Sequence, residues 1–111
     1  MPFTTVQYIR MVQVAVVTAT TTQYTVPAAR QDVLKDIEIC NTGASAITFS
    51  LYVVPSGGSA TTATAILLSV GIPGNQTLHW TGTVVMNAND FIATGASATG
   101  LTMTVSGLES Q

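Results

Sequence analysis

The sequence predicts an all-β protein: an antiparallel β-sandwich, jelly-roll-like, of about eight strands. Three observations lead there. No window repeats apolar residues at i, i+3, i+4 and i+7, while Val, Ile, Thr and aromatic residues dominate the runs, as strands prefer. Several segments alternate apolar and polar residues with period two, the pattern of a half-buried strand. Clusters of Gly, Pro and Asn punctuate the chain between them, and these residues supply the backbone angles that turns require.

The first strand is expected over 4–17, in one piece or two, with Val12, Val14 and Val16 on one face and Gln13 and Ala15 on the other. A short strand follows at 23–26 and stops at Pro27-Ala28-Ala29. The third covers 32–40, where Ile37 and Ile39 oppose Asp36 and Glu38, and it ends at Asn41-Thr42-Gly43. The fourth covers 46–54, with Phe49, Leu51 and Val53 opposing Thr48, Ser50 and Tyr52, before the Pro55–Ser59 turn. Strands at 64–70 and 76–85 flank Gly71-Ile72-Pro73-Gly74-Asn75. Asn87-Ala88-Asn89 introduces a strand at 90–94. The last runs over 101–108, with Leu101, Met103 and Val105 facing one way. The inward set is expected to be Val33, Ile37, Ile39, Phe49, Leu51, Val53, Leu68, Leu78, Trp80, Phe91, Leu101, Met103 and Val105.

At 111 residues the chain fits one domain with one modest core. Residues 23–111 are expected to form the sandwich, and residues 1–22 an N-terminal strand or arm that adds a strand to a neighbour or packs along the surface of its partner. Only 7% of the residues are charged, against about 25% in a typical soluble domain. A surface so poor in charge has weak colloidal protection, and its sheet edges lack the Lys and Pro that block edge pairing. Coverage in an oligomer or a larger assembly is therefore expected.

The same composition argues against several functions. Arg10, Arg30 and Lys35 are the only Lys and Arg residues, too few for a nucleic-acid footprint or a polybasic membrane anchor. Met-Pro-Phe-Thr-Thr lacks a basic leader region, and the apolar stretch 11–17 is broken by Gln13 and is too short to span a bilayer. No secretory signal and no membrane partner are expected. Cys40 is alone and forms no internal disulfide, which fits synthesis in a reducing cytoplasm.

Few residues carry chemistry. His79 is the only histidine, and in Leu78-His79-Trp80 it points away from the apolar face. No nucleophile elbow accompanies it, so catalysis is not expected. Asp36 and Glu38 share a strand face, where two carboxylates act as acid and base or hold calcium, but they also suit an ordinary solvated face. Asp90 fits turn geometry alone. No Cys/His zinc pattern and no phosphate-binding Gly-rich loop appear, so no catalytic, cofactor or metal residue is assigned. Tyr8, Tyr24, Tyr52 and Trp80 would make a sugar-stacking platform only if several were exposed together.

The order Tyr24-Thr25-Val26-Pro27, Ile37-Glu38-Ile39-Cys40-Asn41-Thr42-Gly43, Leu51-Tyr52-Val53-Val54-Pro55-Ser56-Gly57-Gly58, Leu67 to Thr77, Val84 to Ile92 and Met103-Thr104-Val105-Ser106-Gly107-Leu108-Glu109 resembles small all-β virion proteins of tailed bacteriophages. The resemblance covers roughly residues 23–109 and consists of strand and turn patterns. Where similar proteins often have Gly-Asp before the penultimate strand, this chain has Asn89-Asp90, and Asn tolerates the left-handed geometry such a turn needs. The resemblance implies a capsid cement or decoration protein on the virion surface, bridging subunits of the major capsid protein as a homo-oligomer, with a trimer favoured. Neck, tail-tip and fibre-base proteins are the alternative, and a module binding a host glycan or receptor is another.

Overall fold

The computed structural model describes residues 5–111. Eight strands follow in chain order: β1 (Val6–Ala15), β2 (Thr21–Thr25), β3 (Gln31–Asn41), β4 (Ile47–Val54), β5 (Ala65–Ile72), β6 (Thr77–Met86), β7 (Phe91–Ala96) and β8 (Leu101–Ser110). A single short 3-10 turn at Thr62–Thr64 is the other regular element among the described residues. Two four-stranded antiparallel sheets form, ordered β1-β8-β3-β6 and β2-β7-β4-β5. Successive strands alternate between the sheets, except that β4 and β5 lie side by side in one of them, which is the double Greek-key wrapping of a jelly roll. The all-β reading and the strand count are thus borne out, with strand ends within about three residues of those expected.

Part of the segment expected as an arm is used inside the chain. β1 pairs with β8 from Val6↔Ser110 to Ala15↔Thr102, and Met11 and Val16 lie in the core. For Val6–Ala15 the expectation of a strand donated to a neighbour is therefore replaced by an edge strand of the chain's own sheet. The opening residues 1–4 of that segment lie outside the described residues.

The core lies between the sheets and centres on Ile37, Ile39, Phe49, Leu51, Leu101, Met103 and Val105, all from the inward set read in the sequence. Six others of that set are not fully buried. Val33 is half-buried because β3 carries a register shift between Leu34 and Asp36. A bulge adds one residue and reverses which side chains face inward beyond it. Asp32 and Leu34 therefore point in, and Val33 points out. The same device between Arg10 and Val12 turns Met11 into the core ahead of Val16. Leu68 is exposed: β5 pairs irregularly with β4, and neighbouring Ser69 has a φ of 48°. Val53, Leu78 and Trp80 are half-buried and pack against the core from its margin, while Phe91 is half-buried and gives way to Ile92. Val26, Ile47, Val54, Ile72 and Met86 complete the interior.

Two local features hold the layers in place. Asn41 is fully buried: its Nδ2 donates to the carbonyls of Ser45 (2.8 Å) and Ile72 (2.9 Å), and its Oδ1 accepts from the Gly43 amide (3.0 Å). This one side chain links a β3 turn to β5 in the opposite sheet. Gly107 lies where β1 bulges. A Cβ there would stand 2.0 Å from the Val33 carbonyl oxygen and 2.7 Å from Met11 Cε, so only glycine lets Met11 close over β8. Asn89 has a φ of 70°, the left-handed turn that the Asn-Asp pair was expected to preserve.

Candidate interaction surface

The outer face of the β1-β8-β3-β6 sheet is organised in rows set by the ladder register. Tyr8, Leu108, Val33 and Val85 form one row across all four strands. Tyr8 is 88% exposed and Val85 56%, and Leu108 and Val33 are half-buried between them. Val6, also exposed, stands beside Tyr8 on the same face. The bulges in β1 and β3 create this stripe, because they place Tyr8 and Val33 outward although the downstream residues of their strands keep the opposite phase. Such an apolar line on a solvent-facing sheet marks a contact surface more readily than scattered apolar residues would.

Beyond the stripe the face turns polar. Arg10, Ser106, Asp36 and Thr81 form the next row, then Gln13, Thr104, Glu38 and His79. Lys35 Nζ donates to Thr83 Oγ1 at 2.9 Å. His79 Nε2 lies 3.1 Å from Asp36 Oδ1 and 3.8 Å from Glu38 Oε1, so the histidine and the acid pair singled out in the sequence meet. Cys40, half-buried, lies one row further along the same face, opposite Thr77. Asp90 serves its turn as expected: its carboxylate accepts from the Asn87 amide (2.8 Å) and from the Ser56 amide (2.9 Å).

The aromatic residues do not assemble. Tyr8 is on the outer face of one sheet, and Trp80 faces inward with its ring against Gly82. Tyr52 lines a shallow depression of about 250 Å3 shared with Thr48, Ser50, Ser69, Ser97 and the Thr18–Thr20 loop. Within it the Ser69 amide donates to Ser50 Oγ at 2.8 Å.

Tyr24 belongs to an inner cluster that the sequence did not reveal. Asp32 and Glu109 face each other across the β3–β8 ladder, both buried. Tyr24 Oη donates to Asp32 Oδ2 and lies 3.4 Å from Glu109 Oε2, while Arg30 Nη1 donates to Glu109 Oε1 at 2.6 Å. Asp32 Oδ1 has no partner among the described residues. Burial is the main cause that pushes the Asp32 carboxyl up to about 6. The Tyr24 hydrogen bond and the Arg30 charge oppose this, and the hydrogen bond and charge of Glu109 add to it. Burial, and then the neighbouring Asp32 carboxylate, raise the Tyr24 phenol well above its ordinary value. The signal that could have found this cluster is an acid at the start of one strand, Asp32, and another near the end of the last strand, Glu109. Their juxtaposition required the strand pairing.

No protein-family model matches the chain, and no curated protein does. Similarity appears in solved structures. A chain from the structure of infectious bursal disease virus, Gx strain, is 13% identical over 96% of this chain and 32% of its own length, with a TM-score of 0.54. A chain from the crystal structure of the T13 particle of the same virus is 10% identical over 96% of this chain and 30% of its own, with a TM-score of 0.56. What is shared is the fold. Both neighbours are capsid proteins of an icosahedral virus, and this chain spans about a third of their length.

Proposed function

We propose that this chain is a structural component of a virion, and specifically a cement or decoration protein on the head of a tailed bacteriophage. The observation that carries the reading is the jelly roll, shared over 96% of the chain with viral capsid proteins. The strand-and-turn order shared with small phage virion proteins supports the phage assignment, and the charge-poor surface supports a life in an assembly. The partner is the major capsid protein, and a homotrimer is the favoured state. The row of Tyr8, Leu108, Val33 and Val85 is the surface best suited to burial against coat subunits. Interfaces of standard size bury on the order of 1,600 Å2, and repetition around a closed shell multiplies the holding strength.

Copy number tests this directly. Quantitative mass spectrometry of purified particles should give a simple lattice fraction relative to the coat protein. A few to a dozen copies per particle would move the protein to a neck, tail-tip or fibre base. Absence from particles would remove the virion reading. The hydroxyl-lined depression beside Tyr52 favours a second reading, a host-glycan binding module, which glycan-array binding lost on Tyr52→Ala would support.

A further inference from the structure

We propose that Asp36, Glu38 and His79 form a binding site for a divalent transition-metal ion of zinc type on the outer face of the β1-β8-β3-β6 sheet. The site is independent of where the protein resides in a particle. Glu38 and His79 are direct cross-strand partners on the β3–β6 ladder, and Asp36 lies two residues before Glu38 on the same face. One ligand atom from each lies within 4.8 Å of the others. The His79 nitrogen stands 3.1 Å from one carboxylate and 3.8 Å from the other. Ligands held about 2.0–2.2 Å from zinc in a tetrahedron are about 3.3–3.6 Å apart, so these gaps need little adjustment to accept the ion.

The composition sharpens the argument. The chain has five acids and one histidine, and two of those acids converge on that histidine. No Lys or Arg pairs with either carboxylate among the described residues: Arg30 is committed to Glu109, Lys35 bonds Thr83, and Arg10, two strands from Asp36 in the same row, makes no ion pair with it. Imidazole with carboxylate oxygens suits zinc and its first-row neighbours. Calcium takes six to eight oxygen ligands, and magnesium keeps most of its water. All three side chains are about half exposed, so the remaining coordination position opens to solvent, where water or a donor from a neighbouring subunit completes the set.

The test is zinc titration of the full chain by calorimetry, together with NMR of the imidazole ring, whose signals are unique because His79 is the only histidine. One zinc per chain should bind, shift the ring resonances, and resist competition by equal calcium or magnesium. His79→Ala and Glu38→Gln should each weaken binding at least about tenfold, since loss of a mere supporting partner already costs about 10–100-fold. The metal-free melting temperature of both variants should stay within about 2 °C of the parent, because these side chains are surface groups. Unmoved ring signals, equal binding by His79→Ala, or equal displacement by calcium would each overturn the site. Loss of zinc on Cys40→Ser would assign it to the thiol instead and refute this ligand set.

Discussion

The buried pair Asp32–Glu109 makes folding stability depend on pH through a single carboxyl. In the folded chain Asp32 keeps its proton up to about pH 6, whereas the unfolded group releases it near its ordinary value of 3.8. Between those values the folded state binds more protons than the unfolded one. Stability therefore falls as pH rises from about 4 to about 6, and the loss is complete above that window. The difference between 3.8 and about 6 sets a ceiling of about 3 kcal/mol. Arg30 is 38% exposed in its side chain, so water screens part of the effect, and about 1–2 kcal/mol is the figure to expect.

Asp32→Asn isolates the effect, because its amide keeps an acceptor for the Tyr24 hydroxyl and supplies a donor toward Glu109 without titrating. At pH 4 the variant and the parent should be about equally stable. At pH 7.5 the variant should be the more stable, by about 1–2 kcal/mol, which for a chain of this size is about 4–12 °C in melting temperature. Urea denaturation at both pH values, read as the difference between the two proteins, cancels the titrating groups that lie away from Asp32. A difference that is the same at pH 4 and pH 7.5 would refute the reasoning. So would a variant that loses stability more at the higher pH: the first result means that folding leaves the Asp32 titration unmoved, the second that folding favours its ionised form.

Further outcomes follow from the packing and the surface. Phe49→Ala removes a fully buried ring and should cost about 3–5 kcal/mol in a urea titration; a loss below about 1 kcal/mol would mean the ring is not enclosed. Gly107→Ala forces a methyl into the Val33 carbonyl and should cost at least the about 1–3 kcal/mol of ordinary overpacking, because backbone stands in the way, and a melt unchanged within error would contradict that contact. Asn41→Ala leaves two carbonyls and an amide without their side-chain partner, which predicts a loss of about 1–3 kcal/mol by the same assay. The double change Tyr8→Ser and Val85→Ser should leave melting within about 0.5 kcal/mol of the parent yet abolish co-sedimentation with particles, and normal co-sedimentation would put the contact elsewhere. Attachment through such an uncharged row should also weaken less than tenfold between low and moderate salt.

What the sequence shows of this fold is set by the reach of a period-two pattern. Within an unbroken strand such as β8, alternation assigns Leu101, Met103 and Val105 inward without help. A bulge breaks the inference, since nothing in Leu34-Lys35-Asp36 announces that one residue leaves the ladder. The phase read back from Ile37 then puts Val33 inside, when Asp32 and Leu34 occupy that side. The error is not confined to packing. The same inversion buries Asp32 opposite Glu109 and lifts Val33 into the apolar row with Tyr8 and Val85, so both the titrating pair and the contact surface depend on bulges that local composition does not encode.

The candidate sites share a second property that hides them from linear reading. Asp36 and Glu38 were visible as a pair on one face, and His79 was visible as an outward residue, but 43 positions separate His79 from Asp36. Only the β3–β6 register brings them within reach of one ion. Asp32 and Glu109 likewise meet only because β8 inserts between β1 and β3, the crossing that defines the wrapped topology. In a chain with so few charges, that topology decides the electrostatics. Of its five carboxylates, one pair is directed inward, where burial holds a proton, and another outward beside the only imidazole, where the same chemistry is open to a cation. The remaining one, Asp90, is held by the amides of its own turn and of Ser56.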